Sequence, residues 1–186
     1  MSRKDLGAKP YSFPQPVFII ASYDENGVAC AMNAAWCGIS GATEVTMCIS
    51  AGHKSTKNIL KKKAFTISMA DAGHVAECDY FGIATGNKVK DKLSAAGMTV
   101  TKSNHVDAPI INELAVCMEC KLISYDSETC IMKGEIVNVS VDESALTEDK
   151  VDVSKVEPIT FDPFNNTYHV IGKQVGDAWS SGKKFL

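Results

Sequence analysis

Several things are missing from this chain of 186 residues, and each absence removes a class of function. No apolar run approaches the ~20 residues that cross a bilayer as a helix. The opening stretch, MSRKDLGAKPYSFPQP, lacks the apolar segment of a secretory signal. A cytoplasmic protein with no membrane association is therefore expected. There is no basic excess either. The formal net charge is −3 and the pI is about 5.8, which is the wrong balance for a nucleic-acid binder. No Gly-x-Gly-x-x-Gly follows a strand pattern and no P-loop is present, so the usual dinucleotide and nucleotide fingerprints are excluded. The histidines (His53, His74, His105, His169) are scattered, with no pair at metal-ligand spacing and no nucleophile triad around them. No metal site is expected, and no catalytic acid–base pair can be assembled.

What is present is the composition of an ordinary globular domain, 45% hydrophobic and 22% charged. The length suits one domain spanning residues 1–186. The 7 cysteines are odd in number and sit mostly in apolar runs, as expected of reduced thiols. Cys117 and Cys120 form a C-x-x-C in a strand-like stretch, LAVCMECKLISY. Residues three apart on a strand point to opposite faces, so the pair is a poor chelate and is read as structural.

Along the chain, Val17 to Ala21 reads as a strand, and Asp24-Glu25-Asn26-Gly27 as a tight turn. Val28 to Ser40 reads as one returning strand, and Val45 to Ser50 as a third. A short helix is expected from about Thr56 to Lys62, then a strand over Ala64 to Ala70. Asp71 can cap a helix over AGHVAECDYFG, and Lys88 to Ala96 reads as another short helix. Leu114 to Tyr125 and Thr129 to Val141 form the clearest hairpin. The C-terminal part suggests one short strand plus loops. Hairpins without βαβ alternation predict an α+β, mainly β protein built on an antiparallel, nearly closed barrel.

Three stretches carry candidate chemistry. In AGHKSTKNILKKK, a strand ends, Gly52 allows a turn, and a helix begins beside Lys54, Ser55, Thr56 and Lys57. Free amides at a helix start, with hydroxyls and lysines, suit a phosphate. The alternative is a plain N-cap at Ser55 followed by a solvated lysine face. In MNAAWCGIS, the small or polar Asn33, Ala34, Ala35 and Gly38 interrupt a strand otherwise expected to be bulky. A flat ligand could lie there, with Trp36 either packing on its ring or filling the barrel. CDYFGIATGNKVKDK is either a lid whose lysine reaches the ligand or a helix end followed by solvated lysines.

Taken together and in this order, the three motifs resemble the flavin reductase-like family of FMN-binding split β-barrels. APIINE, ECKL, KGEIVNV and FDPFNNTYHVIGKQVG add to the resemblance, which runs over most of the chain. It implies a non-covalent FMN with its phosphate at Lys54, Ser55, Thr56 and Asn58. The isoalloxazine would meet Asn33, Ala34, Ala35, Trp36 and Cys37 on one strand and Cys48 to Ser50, notably Cys48 and Ser50, at the end of the next. Lys92 is implied as a flavin or phosphate contact, and Phe164 and Tyr168 as ring or substrate contacts. The family also implies a homodimer with FMN near the subunit interface, NAD(P)H as a possible electron donor, and a redox protein or small molecule as acceptor. This chain departs from the family in two places. Ala34 and Ala35 stand where relatives often have Thr or Ser, and Lys54 where they often have Arg or His. A reading from another class is a split barrel that binds haem or a phosphorylated metabolite without turnover.

Overall fold

The computed structural model describes residues 2–186. The chain enters through a two-residue strand, β1 (Gln15–Pro16), and continues into β2 (Phe18–Tyr23), β3 (Ala29–Ala34), β4 (Cys37–Gly41) and β5 (Glu44–Cys48). Helix α1 (Lys54–Lys62) leads to β6 (Ala64–Met69), a short 3-10 turn, α2 (Val75–Ile83) and α3 (Lys92–Ala95). Next come β7 (Val100–Lys102), β8 (Pro109–Ile111) and the long pair β9 (Val116–Asp126) and β10 (Ile131–Val141). The end of the fold holds β11 (Leu146–Thr147), β12 (Lys150–Val151), α4 (Val153–Val156), β13 (Ile159–Asp162) and β14 (Thr167–Val170).

Seven strands form one antiparallel sheet in the order β3-β2-β6-β9-β10-β5-β4. The two edge strands, β3 and β4, follow each other directly in sequence. Only Ala35 and Trp36 connect them, so the sheet must curl until its edges nearly meet. It does not close, because β3 hydrogen-bonds only to β2, and β4 only to β5. Val28 to Ser40 is therefore not the single strand expected from its continuous apolar character. It switches partner at Ala35-Trp36, and that switch creates the split.

Apolar side chains fill the inside of the curl. Ile20, Val45, Met47, Phe65, Ile67, Cys120 and Met132 are buried there together. Gly134 is required by this packing, since a Cβ would lie 2.4 Å from the Phe65 ring. A second apolar cluster, including Ile19, Ala31, Cys78, Phe81 and Leu93, lies on the other face and seats α2 and α3 against β2 and β3. Cys117 and Cys120 are both buried, and Cys120 belongs to the inner cluster. Burial pushes the Cys120 thiol up to about 12 and the Cys117 thiol up to about 11, so both stay protonated and inert.

Other expectations need adjustment. Asp71 does cap its turn, accepting the His74 amide at 3.0 Å. The expected helix over 88–96 shrinks to Lys92–Ala95, capped by Asp91. The C-terminal part holds a hairpin, β13 with β14, and β1 pairs with β13 as well. The missed pairing is non-local, linking residue 15 to residue 161, and local pattern cannot reveal it. No helix among the described residues is long and apolar enough to cross a membrane.

Candidate functional site

The start of α1 and the end of α2 lie beside β3. Between them lies a cleft of about 110 Å³, lined by Cys30 to Asn33, His53 to Ser55, Phe81 to Gly86, and Lys92. Two loops hold it in place. Asn87 donates to the Gly52 carbonyl at 3.1 Å, tying the segment after α2 to the turn before α1. Gly86 packs so closely that a Cβ would sit 2.8 Å from Cys30 Sγ and 3.3 Å from Lys54 Cβ. Only glycine allows that approach.

Helix α1 begins at Lys54, two residues earlier than expected, and its N-cap is the extended His53 rather than Ser55. No side chain caps the helix, and its first turn holds no acidic residue. The first helical hydrogen bond runs from the Lys57 amide to His53 O at 3.2 Å. The amides of Lys54, Ser55 and Thr56 have no partner among the described residues. Three free amides at the positive end of a nine-residue helix are donors for an anion.

The side chains around this helix start divide into two groups. Lys54 and Ser55 line the cleft. Ser55 is buried, with its hydroxyl 3.9 Å from Cys30 Sγ. Lys54 Nζ reaches Asp24 at 3.0 Å. Thr56 and Asn58 instead turn inward. Thr56 Oγ1 donates to Ser50 O at 2.8 Å, and Asn58 Nδ2 to Ser22 Oγ at 3.4 Å. These two side chains brace the turn and seat α1 on β2, and neither lines the cleft.

Lys92 is 3% exposed. Its ammonium donates to Phe81 O at 2.9 Å and Ala84 O at 2.6 Å, closing the C-terminal end of α2. Burial holds its pKa below the ordinary lysine value, with Cys30 opposing that shift. An ammonium has three donors, so one remains beyond those two carbonyls. Asn33 also serves α2, donating to Cys78 O at 3.1 Å. Tyr168 donates to Asp79 at 2.8 Å, fastening β14 to the same helix. Burial, then the Asp79 carboxylate, pushes the Tyr168 phenol up to about 12.

A second surface adjoins the cleft at the β3–β4 switch. Ala34 is buried, whereas Trp36 is 50% exposed and does not fill the barrel. The Cys48 amide donates to Trp36 O at 2.8 Å, placing Cys48 to Ser50 beside Ala35, Trp36 and Cys37. Ser50 then begins the turn that enters α1, its carbonyl accepting from both His53 N and Thr56 Oγ1. Along the chain only Ala51 and Gly52 separate the shelf, which ends at Ser50, from the cleft, which begins at His53. Cys37 is partly buried, and that burial pushes its thiol up to about 12. Phe164 lies outside the cleft, tilted against Tyr11 and stacked on Phe13, at centroid distances of 4.4 and 5.6 Å.

Sequence reasoning missed Asp24, Cys30 and Gly86. Asp24 was legible only as part of a turn, and its contact with Lys54 spans thirty positions. Among the described residues, no group of three or more His, Cys, Asp or Glu side chains could hold a metal ion.

Residues 11–162 match the family described as the flavin reductase like domain. The chain belongs to that family, and its curled sheet with adjoining but unpaired edges is the family's split barrel. Among solved structures, it is similar to flavoredoxin of Desulfovibrio vulgaris (Miyazaki F). That similarity has 34% identity and a TM-score of 0.94, over 98% of this chain and 100% of that one. A flavoredoxin from Methanosarcina acetivorans shares the fold at TM-score 0.88 and 21% identity, over 100% of both chains. A putative flavin reductase with a split barrel domain from Shewanella frigidimarina NCIMB 400 does so at 0.77 and 19%, over 89% and 86%. No curated protein sequence matches the chain.

Proposed function

We propose that the protein is a flavoprotein of the flavoredoxin type that binds FMN non-covalently. The observation that carries the proposal is the start of α1, where three unpartnered amides meet the buried Ser55 hydroxyl and Lys54. A phosphate monoester suits that donor set: it is anionic, compact and rich in acceptors. The adjoining shelf of Ala35, Trp36, Cys37 and Cys48 to Ser50 suits a flat, largely apolar ring. One molecule with a phosphate at one end and a tricyclic ring at the other would use both surfaces.

When bound, FMN supplies the redox chemistry, as hydride or single-electron transfer. The chain's residues bind and orient. The amides of Lys54, Ser55 and Thr56 hold the phosphate, with the Ser55 hydroxyl beside them. Thr56 and Asn58 keep the helix start in position through Ser50 and Ser22. Lys92 fixes the end of α2 as the opposite wall and offers its remaining donor to the cleft. The Ser50 amide and Trp36 are left to meet the ring, since the amides of Cys48 and Ile49 are already bonded to Trp36 O and Cys130 O. None of these roles requires a side chain to take up or release a proton.

The electron donor in this proposal is NAD(P)H or a reduced protein, and the acceptor a small molecule or a second protein. A homodimer completes the picture. Trp36 and Ile39 are 50% and 61% exposed beside the shelf, and a second subunit would cover them. The absorption spectrum of the purified protein tests the proposal. A yellow flavin spectrum that bleaches with dithionite is expected, and colourless protein should take up added FMN stoichiometrically. Colourless protein that takes up no FMN would overturn it. Assays with NADH and NADPH, with and without free flavin, then separate a tight carrier from an exchanging reductase.

A further inference from the structure

Asp24 stands on the β2–β3 turn, outside every motif read as functional. Its Oδ1 accepts the amides of Asn26 and Val28, each at 2.9 Å. Gly27 closes the turn with a φ of +78°, a conformation that favours glycine. The carboxylate is therefore held from one side, and its other oxygen, Oδ2, meets Lys54 Nζ at 3.0 Å. Burial opposes its ionisation, but the hydrogen bonds from Val28, Lys54 and Asn26 outweigh it and hold the carboxyl below its ordinary pKa. Lys54 is hemmed in from the opposite side by Gly86. So the lysine at the mouth of the anion site already has a rigidly aimed counter-ion, and both partners are largely shielded from solvent.

We propose that Asp24 is a positioning residue that acts through Lys54 to weaken the grip on the flavin phosphate. This rests on the phosphate site proposed above. With Lys54 neutralised, the phosphate is held by amides and a hydroxyl rather than by a free cation. Asp24 thereby shifts the site away from a permanently filled one and towards one that releases its flavin. The phosphate end alone is affected. Asp24 touches Lys54 and its own turn, and it lies outside the ring shelf.

The test is to measure the affinity of flavin-free protein for FMN and for riboflavin, which lacks the phosphate. The variants are Asp24→Asn, Lys54→Ala, Ser55→Ala and the pair Asp24→Asn with Lys54→Ala. Asparagine keeps an acceptor for the Asn26 and Val28 amides, and thermal melting checks that the turn survives. Freeing the Lys54 charge to act on a doubly charged phosphate is expected to tighten FMN binding about tenfold, from Coulomb's law for that cation at roughly 6 Å in a water-like medium. Riboflavin affinity should stay within about twofold, and the gain should shrink when Lys54 is already alanine. Unchanged or weaker FMN binding in Asp24→Asn overturns the role of Asp24. So does an equal gain in the Lys54→Ala background. If neither Lys54→Ala nor Ser55→Ala weakens FMN binding, the phosphate site itself is misplaced, a failure distinct from that of Asp24.

Discussion

The two ends of α1 carry the same residue type and treat it differently. At the C-terminal end, Lys61 and Lys62 occupy the last turn, and Lys63 adopts the left-handed conformation with its amide bonded to Ile59 O. Positive charge suits that end of the helix dipole. Lys61 pairs with Glu25 and Lys62 with Asp107 at the surface. At the N-terminal end the dipole disfavours a lysine, yet Lys54 occupies the first position, with no acidic residue and no capping side chain in the turn. Asp24 reaches in from another element to offset it. One end is finished as an isolated helix would finish it. The other is left short of acceptors, which is what an anion-binding end requires.

The walls of the site should respond most strongly to substitution. Lys92→Met leaves Phe81 O and Ala84 O without their buried donor, and a loss of about 2–3 kcal/mol in chemical denaturation is expected. The pH dependence has a definite sign. Burial lowers the folded pKa of Lys92, so the unfolded chain binds that proton more tightly between the lowered value and 10.5. Over that window this group makes stability rise with pH, and Lys92→Met should remove the rise.

His53→Asp breaks the contrast between the helix ends directly. Aspartate at the N-cap would occupy one or two free amides and stabilise the helix by about 1 kcal/mol. The same change should weaken FMN binding about tenfold or more, because donors are consumed and a negative charge is added. Higher melting temperature with lower affinity is the expected pair of results in a joint melting and titration measurement.

Tyr168→Phe removes the bond to Asp79 and should cost about 1 kcal/mol. The folded pKa of Tyr168 is raised to about 12 from 10.0. Its contribution is therefore complete below pH 10 and is lost as pH rises through 12, so the variant should show a shallower alkaline decline. Lys61→Ala gives the smallest effect. Its partner Glu25 is mostly exposed, and such pairs contribute within about 0.5 kcal/mol. FMN affinity should not change, which sharpens the difference between the two ends.

The architecture was legible in the sequence wherever neighbours in the chain are also neighbours in space. The β9–β10 hairpin, the turn at Asn26-Gly27 and the helix after Gly52 all follow from local pattern and turn chemistry. The switch of partners at Ala35-Trp36 was not legible, because β3 and β4 look alike in composition and differ only in which strand they meet. Trp36 illustrates the consequence. A tryptophan in an apolar run suggests barrel core, but it sits where the sheet changes edge and is left half exposed. At the helix start the residue types pointed to an anion, while side-chain direction could not be read. Thr56 and Asn58 carry side-chain donors as Ser55 does, yet the helical turn rotates them towards Ser50 and Ser22. Asp24 was invisible for a different reason, since its meaning depends on a contact between two separate elements.

The most direct measurement is the ratio of FMN to riboflavin affinity in the wild-type protein and in His53→Asp. If the start of α1 holds the phosphate, FMN should bind the wild type at least about tenfold more tightly than riboflavin, and His53→Asp should bring the two affinities together. Equal affinities in the wild type, or a ratio untouched by His53→Asp, would contradict the account.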